Sequence, residues 1–128
     1  MLKHAMLTSA FALLAFGASA QEDYNYAPAC VAPEPPMAVD GATATETQLA
    51  AGHDAVLHFM RVSDSYQSCL GLALGKQQNT AFFMHSNVPK HIVKQIEGRA
   101  ADNQKQKERV AADYNAAVVA FRARTGAP

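Results

Sequence analysis

The nineteen residues from Asn103 to Phe121 contain neither Gly nor Pro and are rich in strong helix formers, continuing a run that begins near Pro89. Along that run Val93, Ile96, Ala100, Asn103, Lys107, Val110, Tyr114, Ala117 and Phe121 recur at alternating steps of three and four. This is one seam of a helix, apolar at both ends and polar in the middle. Such a helix has to lay its seam on something, and two long helices bury little on their own. The chain offers one matching helix, upstream.

Residues 1–20 read as a secretory leader. Lys3 and His4 give a short positive start, Ala5 to Phe16 is apolar apart from Thr8 and Ser9, and Ala18-Ser19-Ala20 supplies small residues before a cut at Gln21. The apolar run is too short for a comfortable membrane span. Cys30 lies ten residues past the cut, so a lipid anchor is not expected there. The expected mature chain, Gln21 to Pro128, has 108 residues, enough for one small domain. Its expected location is periplasmic or secreted, with no membrane span once the leader is gone.

Residues 21–42 read as an extended arm, because Pro28, Pro33, Pro35 and Pro36 forbid helix over much of it. It is either a proline-rich ligand for a partner domain or a stiff strap over the chain's own surface. Cys30 favours the strap. Cys30 and Cys69 are the chain's two cysteines, and in an oxidising compartment they are expected to form one disulfide. Neither has a second Cys or a His at metal-ligand spacing.

After the Asp40-Gly41 turn, Thr43 with Glu46 and Thr45 with Gln48 both fit a capping box. Helix 1 is expected over about 43–74, with Leu49, Val56, Phe59, Met60, Tyr66 and Leu70 on one side. Gly52 and Ser63 are small positions on the same stripe, where a partner helix could come close. Gly75 reads as the residue that ends this helix. In the expected connector, 75–88, Phe82, Phe83 and Met84 form an apolar cluster. It reads as a short turn plugging the end of the hairpin, or else as an exposed docking patch. Helix 2 is expected over about 89–123, with Pro89 in its first turn and Thr125-Gly126 ending it. Position i on helix 1 should then face about 165 − i on helix 2.

Charge agrees with that pairing. Residues 21–64 carry one basic and seven acidic groups, and residues 90–124 carry eight basic and four acidic. In helix 2 the basic residues alternate with acids and include no aromatic-interleaved cluster, which argues against nucleic acid or anionic lipid as the partner of that helix.

Two pieces of the chain resemble a group of small, exported, functionally uncharacterised bacterial proteins. One is Tyr66-Gln67-Ser68-Cys69-Leu70 after Ser63-Asp64. The other is Asn103-Gln104 followed by Lys107-Glu108-Arg109-Val110 and Tyr114-Asn115. A Cys in a Pro-rich stretch ahead of the first helix belongs to the same pattern. The resemblance covers most of the mature chain, leaves Phe82 to His85 unmatched, and implies export and helical architecture but no activity.

His53, His58, His85 and His91, with Met37, Met60 and Met84, are the residues a metal such as copper would use. Their spacing does not form a ligand set: His53 and His58 fall on different helix faces, and His85 and His91 flank a proline. His53-Asp54 and Ser63-Asp64-Ser65 are common residue types without a nucleophile elbow. Tyr66, Asn103, Lys107 and Tyr114 form a candidate polar waist, either a buried layer that fixes register or a small-ligand site. No cofactor is implied. The expected architecture is all-α, a long antiparallel helical hairpin (43–125) with a disulfide-tethered extended N-terminal arm. The expected function is a non-enzymatic interaction or structural module, partnered by a second copy or another exported protein. The alternative is a metal- or small-ligand-binding module.

Overall fold

The structure, a computed structural model, describes residues 24–128; the expected leader and the start of the arm lie outside the described residues. Two helices, α1 (Glu46–Phe83) and α2 (Lys90–Thr125), pack against each other as an antiparallel hairpin. The pairs Tyr66–Arg99, Ser63–Asn103 and Leu49–Tyr114 all fall within two residues of the expected register. There is no strand among the described residues.

Asp40 builds the entry to α1. Its carboxylate accepts hydrogen bonds from the Ala42 amide (3.0 Å) and the Thr43 hydroxyl (2.9 Å), while its carbonyl accepts from the Thr43 and Ala44 amides. Thr45 is the N-cap, and its hydroxyl and the Gln48 side chain close a reciprocal capping box. Thr43 is engaged by Asp40, so the alternative box does not form and the helix starts at Glu46 rather than 43.

The far end of α1 departs further from the sequence reading. The helix passes through Gly71 and Gly75 and stops only at Phe83, shrinking the connector from 75–88 to 84–89. Ala73 and Leu74 pack on the core that holds Ile92 and Ile96, and Ala81 is buried beyond them. That packing outweighs the roughly 1 kcal/mol a glycine costs inside a helix. The stop is a Schellman motif without glycine: Ser86 N–H donates to the Ala81 carbonyl, His85 N–H donates to the Phe82 carbonyl, and His85 takes φ 51°. At the other end α2 closes conventionally, on left-handed Gly126.

The arm from Tyr24 to Val39 is a strap lying along the hairpin, parallel to α2 and antiparallel to α1. The Cys30–Cys69 disulfide fixes its upper part, with Cα atoms 5.6 Å apart. Cys30, Pro33, Pro36 and Val39 turn inward while the residues between them are exposed. A repeat of three is that of a polyproline II helix. Lengths agree as well. The strap covers Cys30 to Val39 in nine residues, about 28 Å at polyproline rise. α1 needs seventeen residues from Cys69 back to Gly52, about 25 Å at helical rise.

Two glycines let the strap seat closely. A Cβ on Gly41 would stand 1.9 Å from the Ala117 carbonyl oxygen, and one on Gly52 would stand 2.3 Å from the Val39 Cγ2. Gly52 therefore admits the strap most closely, with the Tyr114 ring of α2 also beside that Cβ position at 3.6 Å, and Ser63 faces α2. The core is shared in the same way: Ala27 and Cys30 of the strap are buried with Tyr66, Leu70, Ile92 and Ile96. A bare two-helix hairpin would leave that face in water.

Candidate functional site

Arg99 organises the upper half of the molecule. Its guanidinium donates to the Asn25 side chain (2.7 Å), the Ala27 carbonyl (3.2 Å), the Cys30 carbonyl (2.6 Å) and, through Nε, the Tyr66 hydroxyl (3.0 Å). One turn earlier on α2, Gln95 accepts from the Tyr26 amide and donates to the Tyr24 carbonyl. Tyr26 stacks edge-on against Tyr24 and His91, and its hydroxyl meets the His91 Nε2 at 3.0 Å. Nothing in the sequence singled out Arg99 or Gln95. Their partners are mainly backbone atoms of a segment some seventy residues away.

The four waist residues do not converge on one site. Asn103 is buried between the helices, donating to the Ser63 hydroxyl (3.2 Å) and accepting from the Gln67 side-chain amide (3.0 Å). Lys107 pairs with Asp64 one turn further along. Tyr66 belongs to the Arg99 cluster, and Tyr114 donates to the Leu49 carbonyl near the open end of the hairpin. No buried side-chain nitrogen or oxygen among the described residues lacks a partner. A layer of this kind holds register, since sliding either helix by one turn would leave Asn103 and Ser63 unpaired and buried.

This gives a measurable expectation for the double variant Asn103→Leu with Ser63→Ala, which removes the buried polar pair and leaves half-buried Gln67 its bond to Gln104. Its melt should stay within about 1 kcal/mol of the parent, because an apolar layer replaces a satisfied polar one. Its assembly by light scattering should broaden. A markedly lower melt with an unchanged distribution would mean that Asn103 contributes stability and not register.

Ser63 is fully buried, so it is not available as a nucleophile. Ser65 donates to the Arg61 carbonyl. His53 and Asp54 approach to 3.9 Å as an exposed local pair. No group of three or more His, Cys, Asp or Glu side chains among the described residues could hold a metal ion. No helix among the described residues is long and apolar enough to cross a membrane.

Phe82, Phe83 and Met84 are the remaining candidate, and here the plug expectation is corrected. Their exposures are 77%, 79% and 72%; they stand out from the hairpin tip, with the two rings edge-to-face at 5.8 Å. Ala81, immediately ahead of them, turns inward. The physical reason is the continuation of α1. Residues 82 and 83 sit on the last helical turn, beyond the reach of α2, instead of folding back as part of a loop. Leu72, also 77% exposed, lies on the same face of α1 as Phe83 and Lys76, beside a groove of about 330 Å³ flanking the disulfide.

No family model, curated protein or solved structure matches the chain.

Proposed function

We propose that this chain is an exported, non-enzymatic interaction module: a disulfide-locked rod that docks through its hairpin tip. One observation carries the reading. Along the stem the strap and the facing helix cover the large apolar side chains of the seam, whereas at the tip three consecutive ones stand in solvent. A contiguous apolar patch of this kind marks a contact site. The disulfide and the leader-like start of the chain support export, since such bonds persist in oxidising compartments. The strap braces the stem below the tip, because it ties α1 to α2 through Cys69, Gln95 and Arg99.

The test is site-specific photocrosslinking in producing cells. A benzophenone side chain at position 83 should give a discrete adduct, whether to lipid, to a protein or to a second copy. The same group at exposed Ala101, on the stem, should give none. Equal labelling at both positions, or none at either, would overturn the reading.

A further inference from the structure

The charge around the tip narrows what it can meet. Along α2 as a whole acids and bases alternate, but the alternation begins only at Glu97. Between Asp64 and Glu97 there is no acidic residue, while Lys76, Lys90 and Lys94 lie there together with His85 and His91. Among the described residues the far end of α1 beyond Asp64, the connector and the first two turns of α2 are therefore acid-free and cationic, and the apex is apolar. Glu22 and Asp23, the nearest acids of the arm, lie outside the described residues.

We propose that the tip is a wedge for anionic lipid surfaces: Phe82, Phe83 and Met84 enter the bilayer interface while Lys76, Lys90 and Lys94 meet its phosphates. This rests on the reading of the tip as the docking end. The dimensions suit it. Side chains of an interfacial segment bury about 5–10 Å below the headgroups. Lys76 lies seven residues below Phe83, about 10 Å along α1, and Lys90 and Lys94 open α2 on the other side of the tip. All three cations are lysines, whose long stems reach back to the headgroup level as the apex enters. Tyr24, 70% exposed, adds an aromatic ring below the apex, where amphipathic rings favour the interface.

Shape favours lipid over a protein partner. The apex is convex and offers three side chains, whereas a stable protein interface buries roughly 1,200–2,000 Å². A lipid surface needs no complementary pocket, and each lysine near an anionic membrane adds to the attraction. The opposed helix ends at the tip offset one another, so the field there is set by the side chains.

The test uses disulfide-bonded protein purified from an exporting host, its N-terminus established by mass. It is floated with vesicles of phosphatidylcholine and with vesicles containing an equal share of phosphatidylglycerol. Binding to the anionic vesicles should exceed binding to the neutral ones by roughly tenfold to a hundredfold at low salt. The pair Phe82→Ser with Phe83→Ser should weaken anionic-vesicle binding by about tenfold or more. Neutralising Lys76, Lys90 and Lys94 to Gln should abolish the preference for anionic lipid. All five positions are exposed, so an unchanged melt and intact disulfide certify the fold of both variants. No vesicle binding, or binding that both variants retain in full, would overturn the proposal. If vesicles fail while position 83 still crosslinks to one protein, or a dimer disappears with the Ser pair, lipid is rejected and tip docking stands. If vesicles and crosslinking both fail, both readings fall.

Discussion

Replacing Cys69 with Ala should lower the stability of the protein by about 4 kcal/mol, a fall in melting temperature of roughly 15–30 °C. The disulfide closes a loop across a sequence separation of 39. In the chain-entropy treatment, opening it returns that freedom to the unfolded chain. The strap gives the number a structural counterpart. Ala27 and Cys30 are part of the same core as Tyr66, Leu70, Ile92 and Ile96, so a strap that lifts exposes the helices beneath it. Parent protein melted in reductant should match the Cys69→Ala variant melted without it. If the parent melts at the same temperature with and without reductant, the strap is held by packing alone and the disulfide contributes little.

Arg99→Met should cost about 2–4 kcal/mol although Arg99 makes no ion pair among the described residues. Four hydrogen bonds from one guanidinium are lost, two of them to carbonyls of buried strap residues. A buried acceptor left without a donor costs roughly 1–3 kcal/mol. Arg99→Lys should recover less than half of the loss, because a single ammonium cannot span Tyr66, Asn25, Ala27 and Cys30 as the planar fork does. The cycle with Cys69→Ala decides whether Arg99 acts through the strap. Once the strap is detached, removing Arg99 should cost little, so the two changes together should fall short of their sum by about 1–3 kcal/mol. Strict additivity would show that Arg99 stabilises the hairpin itself.

Much of the stem is legible in the sequence because its signals are local. The steps of three and four from Ile96 to Phe121 define one helical face. At the first expected position of the seam, however, Val93 is only half-buried and neighbouring Ile92 takes the core place. The Thr45–Gln48 box opens α1 and Gly126 closes α2, and a polar residue inside an apolar seam suits a register-holding layer. The hairpin relation follows from a single turn between two helices of similar length. Candidate residues fared less evenly. Asn103 sits where the seam puts it, whereas Tyr66, Lys107 and Tyr114, drawn from the same polar pattern, separate along some 25 Å of helix.

The sequence by itself determined the helical class, the pairing of the two helices, and the extended character of a proline-rich arm. These rest on propensities and periodicities within a few turns of chain. Only the tertiary structure decided three things. α1 continues through two glycines to Phe83, because packing on α2 outweighs local propensity. The strap makes the closest approach at Gly52, because a polyproline chain rises about twice as far per residue as a helix and so brings Val39 opposite it. The Phe82–Met84 cluster stands in solvent, because the longer helix carries it past the end of its neighbour. Each of these is a balance between elements far apart in the chain, and no local pattern records that balance.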